Sequence, residues 1–327
     1  MRLILAVASC SALMVLTGCS SSRHDPAEKY YLVAANIKLP YWQTANDGMV
    51  RAAQQMGVQA QMYGPDTYDP QAEAQELRNV IAKKPAGIMV SAADPAVLQA
   101  PIDEAIAQGI PVITIDADSP NSKRLLFVGT NNYMAGQMGA RKAAELLGRK
   151  GSVVVYTIPG QGNLDERLHG YREVFGDAIK IAQIINVKGD PRLAFDTTNE
   201  MVHKGTLKPD GYICLEATAC KEVADVLNRN NVTGRVIVAM DTDQDTVDWI
   251  KKGNIQATVA QKPFTMAFYG VKVLDDVHHY KPANLSANWE RDTTAPIPVF
   301  VDTGASLLDK SNIDEFQRAR QAASGQK

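Results

Sequence analysis

Ten short apolar runs, each followed by a stretch with helical spacing, constrain this chain more than any other feature. The runs lie at 30–37, 58–63, 86–91, 111–116 and 125–130, then at 152–158, 179–186, 211–216, 236–241 and 257–261. Several are almost unbroken: GIMVS, PVITID, SVVVYTI and RVIVAMD. A strand that is apolar at nearly every position is buried on both faces, the condition of a parallel sheet covered by helices. The intervening stretches supply the helices. Met49, Ala52, Ala53 and Met56 share one helical face, and Gly57 stands where that helix would end. Asp69-Pro70 offers an N-cap followed by a first-turn proline. Repeated βα units of this kind build doubly wound parallel α/β layers. The series divides into two halves, and 327 residues are too many for one ordinary core, so two similar α/β domains are expected. No Gly/Ser-rich linker separates the halves, so composition does not fix their boundary.

The amino terminus reads differently. Arg2 precedes LILAVASCSALMVL, an apolar run too short for a comfortable transmembrane span, and small residues follow it. This is the pattern of a secretory signal. Leu16-Thr17-Gly18-Cys19 resembles a bacterial lipobox, which implies cleavage before Cys19 and lipid on its thiol. Residues 1–18 are then a lipoprotein signal peptide and 19–28 a tether. The protein would be a membrane-anchored lipoprotein of the periplasm or cell surface. A plain secretory signal with an incidental cysteine is the simpler alternative. Cys214 and Cys220 remain in the mature chain. An exported compartment permits a disulfide. Six residues across a strand-to-helix turn fit its geometry poorly, however, which favours two free, mostly buried thiols. No CxxC motif or Cys/His cluster suggests a metal. His278-His279, near the end of a helical pattern, read as a solvated face. The formal charge is −2 with no long run of Lys or Arg, which argues against nucleic acid as a main partner.

In open parallel sheets, ligands bind beyond the carboxyl ends of the strands. At that edge the sequence places Tyr41 and Trp42, Ser91, Asp116 with Asp118, and Asn131 with Asn132. It then places Asn163, Asp165 and Arg167, Glu216, Asp241 with Asp243, and Gln261. Carboxylates and amides engage hydroxyl groups, which both donate and accept. The C–H faces of a sugar ring pack on aromatic planes. One Asp after a strand is more often a helix cap than a ligand contact. Repetition at one edge of two sheets points to a pocket for a polyhydroxylated molecule. Tyr41 and Trp42 in KLPYWQTANDG would form its stacking wall, with a hydrophobic staple under the helix start as the alternative.

The motifs LPYWQTANDG, IPVITIDAD, FVGTNNYMAG, DERLHGY, VIVAMDTD and GNIQATVAQKP occur in this order. Together they resemble the periplasmic sugar-binding proteins of the ribose-binding type, the type I solute receptors of ABC importers, over roughly residues 30–302. The resemblance implies two doubly wound parallel-sheet domains joined by a three-segment hinge. One domain would hold 29–130 and 262–294, the other 131–261 and 295–312, with 313–327 a C-terminal helix or tail. It implies that Tyr41 and Trp42 stack on a sugar, and that Asp116 and Asp241 bind hydroxyls from opposite domains. Arg167 would approach the ring oxygen or a hydroxyl, and Asn132 and Gln261 would touch the ligand near the crossings. Ser91 and Glu216 complete the expected contacts. Leu39 stands where the family has Asn, and Ala117 where it commonly has Arg, so D-ribose itself is not implied. A hexose, a polyol or another pentose fits as well. The expected partners are a monosaccharide or polyol and a membrane permease, with the protein a monomer that needs no cofactor.

Three other functions share features with this sequence. A glycoside hydrolase would use Asp116 with Asp118 or Asp241 with Asp243 as its carboxylate pair. The plainer account of DAD and DTD is one helix cap plus one ligand contact. The chain lacks a GxSxG elbow, and the GxG of IPGQGN lacks the rest of a dinucleotide fingerprint, so no catalytic residue is assigned. A sugar-responsive repressor would begin with a helix-turn-helix module where this chain has an export signal. A receptor of the same fold could instead deliver its ligand to a membrane sensor or chemoreceptor.

Overall fold

The structure, a computed structural model, describes residues 24–205, 207–281 and 289–324. The signal segment and Cys19 lie outside the described residues. The first half runs β1 (Lys29–Val33), α1 (Pro40–Met56), β2 (Gln59–Tyr63), α2 (Pro70–Ile81), β3 (Gly87–Val90), α3 (Pro95–Ala107), β4 (Val112–Ile115) and β5 (Phe127–Gly129). The second runs α4 (Asn132–Leu146), β6 (Gly151–Thr157), α5 (Gly162–Phe175), β7 (Ile179–Asn186), α6 (Pro191–Lys204), β8 (Gly211–Cys214), α7 (Ala219–Arg229), β9 (Val236–Met240), α8 (Gln244–Lys252) and β10 (Ala257–Ala260). The chain then returns through α9 (Pro263–His279), β11 (Phe300–Asp302), β12 (Ser306–Asp309) and α10 (Ile313–Ser324).

All ten expected strands form. They make two six-stranded sheets, β11-β5-β4-β3-β1-β2 and β12-β10-β9-β8-β6-β7. The pairings are parallel except β12 against β10. The unbroken apolar runs do what their pattern requires, because successive side chains leave opposite faces of a strand. Tyr30 and Leu32 join a core with Met49 of α1 and Val271 of α9. Tyr31 and Val33, one position on, join a second core with Leu77 of α2 and Leu98 of α3. In the other sheet Val154 and Tyr156 face α6 and α7, while Val153 and Val155 face α4 and α5. The helix signals also hold. Gly57 ends α1 in the left-handed region at φ 73°, and Asp69 accepts hydrogen bonds from the backbone N–H groups of Gln71 and Ala72.

The chain passes between the sheets three times: from β5 to α4, from β10 to α9, and from β11 to β12. The third crossing departs from expectation. The resemblance implies residues 295–312 as one block of the second domain, but β11 lies at the edge of the first sheet. It pairs with β5 through Phe300 opposite Phe127, whose rings stack 5.2 Å apart. The crossing therefore follows Asp302. α10 packs through Ile313 and Phe316 on the second core.

Two further expectations are corrected. Cys214 and Cys220 are not free thiols but form a disulfide. The turn between β8 and α7 reverses tightly enough to bring their Cα atoms to 5.7 Å, inside the roughly 4.4–6.8 Å that a disulfide spans. His278 and His279 do not form a solvated face. Both are half-buried, His278 edge-on to Tyr30 and His279 beside Glu28 and Asp275, because the turn before β1 lies against the last turn of α9.

Candidate functional site

Asp116 follows β4 and Asp241 follows β9, so the two domains present the same residue at the same place. Both have left-handed backbone angles, φ 62° and φ 65°. That region costs an ordinary L-residue about 1–2 kcal/mol, and Asp is among the few that occupy it readily. Each keeps its place in the strand edge by donating its N–H, Asp116 to Val128 O (3.2 Å) and Asp241 to Val259 O (2.9 Å). Both carboxylates line one cavity of about 90 Å³ between the domains. This is several times the roughly 10–15 Å³ that one water needs.

Arg167 of α5 lies beside them, 2 % exposed. Its Nε donates to Asn132 Oδ1 (2.9 Å), Nη1 to Leu215 O (2.7 Å) and Nη2 to Gln261 Oε1 (2.7 Å). Gln261 in turn donates from Nε2 to both carboxylate oxygens of Asp241, at 3.1 and 3.2 Å. Three of the five guanidinium N–H groups are thus committed among the described residues, and the remainder are available to a ligand. Helix α5 is held tightly enough to fix this geometry: a Cβ on Gly136 of α4 would lie 2.2 Å from Arg167 O.

The aromatic pair divides its work. Trp42 is 4 % exposed and belongs to the core of the first domain, with one side on the cavity. Tyr41 meets it edge-on at 5.2 Å and donates its hydroxyl to Asp116 Oδ1 at 2.6 Å. The ring therefore walls the cavity while its hydroxyl positions a carboxylate.

Burial dominates the electrostatics. It raises the Asp116 carboxyl above its ordinary range, against the Arg167 charge and the Tyr41 hydrogen bond. Burial also pushes Asp241 up to about 7, with Asp116 adding repulsion and Arg167 opposing it. The Tyr41 phenol is raised well above its usual value, first by burial and then by the two carboxylates. The same burial that opposes charge on the two carboxyls works against any further negative charge in the cavity.

The expected contacts separate into two groups. Tyr41, Trp42, Asp116, Arg167, Glu216, Asp241 and Gln261 line the cavity. Asn132 does not line it and instead holds Arg167 from behind. Ser91 is buried at the end of β3, does not line the cavity, and its hydroxyl makes no hydrogen bond among the described residues. Glu216 spends its carboxylate as a helix cap, accepting from Thr218 N, Thr218 Oγ1 and Ala219 N, each at 2.7 Å. Thr218, beside Glu216 where the family carries an amide, also lines the cavity, and Asn36, Tyr68 and Gln161 line it without having been anticipated. Asn163, noted only as a turn residue, reaches from α5 to Asp116 O at 3.5 Å. The carboxylate pairs of DAD and DTD do not form at the cavity. Asp118 is held by Arg124 through two 2.8 Å bonds, and Asp243 caps α8 through Thr246.

Comparison with known proteins places this geometry. The family described as "Periplasmic binding protein domain" matches residues 30–281. The D-allose-binding periplasmic protein of Escherichia coli (strain K12) is 26% identical over 264 residues, 76% of this chain and 84% of that protein. The solved structure of the arabinose-binding protein AraP from Geobacillus stearothermophilus shares 32% identity at a TM-score of 0.75, covering 89% of this chain and 99% of that one. A sugar ABC transporter sugar-binding protein from Bacillus halodurans shares 33% identity at a TM-score of 0.78, covering 88% and 100%. The chain belongs to the periplasmic binding protein family, with its two doubly wound α/β domains and the cleft between them.

Proposed function

We propose that this protein is an extracytoplasmic receptor that captures a monosaccharide or polyol in the inter-domain cleft and delivers it to an ABC importer. One observation carries the reading. Asp116 and Asp241, from opposite domains and both in left-handed backbone conformations, converge on a cavity that also holds Arg167, Tyr41 and Trp42. Carboxylates on both sides accept hydrogen bonds from hydroxyl groups, and the guanidinium donates to a ring or hydroxyl oxygen. The two rings cover the apolar face of the ligand. A ligand that bridges both domains stabilises the closed form through its differential affinity for it. The names of the relatives, an allose-binding and an arabinose-binding protein among them, support the substrate class.

Leu39 lies on the cavity wall and offers no hydrogen bond, which favours a ligand with one fewer polar contact on that side than ribose presents to an Asn. Chemistry at the cleft is binding, and no bond is broken. The segment LTGC supports lipid attachment at Cys19, with the mature chain anchored outside the cytoplasm as a monomer. Among the described residues no helix is long and apolar enough to cross a membrane.

A thermal-shift panel of pentoses, hexoses and polyols tests the reading, because a ligand that binds the folded state raises the melting temperature by mass action. One sugar or polyol should shift the transition by several degrees at saturating concentration. A panel without any shift would reject the substrate class. Cys19→Ser should release the protein from membranes, and persistent anchoring would reject the lipid attachment.

A further inference from the structure

A second cluster of polar side chains lies at the end of the first sheet away from the cleft. The turn before β1 contributes His24 and Glu28, and the last turns of α9 contribute Asp275 and His279. Asp275 and His279 are four residues apart, so they share one face of the helix. The turn is built locally: Glu28 N–H donates to Asp25 O at 2.9 Å, and Asp25 Oδ1 accepts from Ala27 N at 2.8 Å. This folds residues 24 and 28 over the helix end.

The four side chains each offer one donor atom, and the four atoms lie within 4.8 Å of one another. Three of the separations are 3.0 Å (His24 Nδ1 to Asp275 Oδ1), 3.2 Å (His279 Nε2 to Glu28) and 3.5 Å (His279 Nε2 to Asp275 Oδ1). Bonds of about 2.0–2.2 Å in a tetrahedron put neighbouring ligand atoms about 3.3–3.6 Å apart. The side chains are 22 %, 11 %, 6 % and 21 % exposed for His24, Glu28, Asp275 and His279 respectively, so this is a recess rather than an open surface. Behind it the Tyr30 hydroxyl donates to Asp275 Oδ1 at 3.2 Å, the kind of outer contact that orients a ligating carboxylate.

We propose that His24, Glu28, Asp275 and His279 form a binding site for one divalent transition-metal ion of the zinc type. Two imidazole nitrogens and two carboxylate oxygens suit that ion, whereas calcium and magnesium prefer larger all-oxygen shells. Four protein ligands leave no position for a substrate, so the role is structural. The ion clips the segment that emerges from the tether to the end of α9 and fixes the direction in which the domain hangs from its anchor. The ligands of each half lie some 251 residues from those of the other, which is why no local motif announces them.

The test uses untagged full-length protein, solubilised in detergent and stripped with chelator. Calorimetric titration with Zn²⁺ should give one equivalent bound with a dissociation constant below about 1 µM. Co²⁺ should give the intense visible bands of a tetrahedral complex. His24→Ala, in the turn outside the sheet, and His279→Asn should each weaken Zn²⁺ binding by at least ~100-fold. The melting transition of the metal-free protein should stay within a few degrees of wild type in His24→Ala. Absence of Zn²⁺ binding, or binding that both variants retain, would overturn the proposal and leave the cluster as a pair of histidine–carboxylate ion pairs. A weak octahedral Co²⁺ spectrum would also overturn it.

Discussion

Arg167 is the residue on which most of the cleft depends. Its three hydrogen bonds leave in three directions, to α4, to the end of β8 and to the end of β10, and the last passes on to Asp241. A lysine supplies the charge but not the planar fork. Arg167→Lys should therefore leave at least two buried acceptors unpaired and cost about 2–4 kcal/mol of unfolding free energy. Urea denaturation checks this, and a loss too small to measure would show that the network is dispensable. The key acidic residues were legible because each ends an unbroken apolar run, where a charged residue has no place in the core. Tyr68 was not. Tyr68 lies in a loop and reaches the cavity only because its hydroxyl is tied to Ala93 O at 2.6 Å. Asn163 stood at the expected edge, but its bond to Asp116 O forms only between the two domains. Glu216 shows the opposite error, a strand-end carboxylate whose oxygens are satisfied by the helix that follows.

At the scale of elements, the cleft wall between β8 and α7 is held by a covalent link as well as by packing. The Cys214–Cys220 bridge closes the loop that carries Glu216, Ala217 and Thr218, three of the cavity residues. Closing so short a loop restricts the unfolded chain by about 2 kcal/mol in the chain-entropy view. The double variant Cys214→Ala/Cys220→Ala should lose about that much stability. Reductant should then lower the denaturation midpoint of the wild type and leave the variant unmoved. Equal midpoints for wild type and variant would contradict the assignment. The pair was misread because residue spacing does not encode how sharply a chain reverses between strand and helix. Ten strands were legible, eight of them inside the sheets and most of these nearly continuous apolar runs, with β2 and β7 at the far edges. β11 and β12 were not, because FVD and SLLD are short edge strands that are partly exposed. The position of the third crossing followed from that omission.

The whole molecule is closed around its cleft. Asn163 reaches Asp116 O across it. Gly189 approaches Tyr68 so closely that a Cβ there would lie 2.6 Å from the tyrosine Cβ. Arg320 of α10 donates to Thr242 O in one domain (3.1 Å) and to Thr44 Oγ1 in the other (3.4 Å). The boundary between domains was not legible because the crossings are short continuations of strands, with no linker composition to mark them.

Closure also has a pH dependence with a definite sign. In the closed form Asp241 holds its proton up to about pH 7, whereas an aspartate in an open, wet cleft loses it near about pH 4. Closing the ligand-free cleft therefore takes up a proton between those values. Acid favours the closed form, and raising the pH through about 7 withdraws that support. Small-angle scattering of the ligand-free protein should give a smaller radius of gyration at about pH 5.5 than at about pH 8. Asp241→Asn should shrink the difference, leaving the smaller contribution of Asp116, which burial also raises. A pH-independent radius in the wild type would contradict the link between closure and this carboxyl.

Asp116 and Asp241 are proposed to grip one neutral, hydroxyl-rich ligand from opposite domains. Calorimetric titration of the sugar or polyol identified by thermal shift, into wild type, Asp116→Ala and Asp241→Ala, tests it directly. The wild type should bind one ligand per chain. Each variant should bind about 30- to 1,000-fold more weakly, the equivalent of about 2–4 kcal/mol for leaving a buried hydroxyl unpaired. Wild-type affinity in both variants would remove the two aspartates from the site and contradict the account.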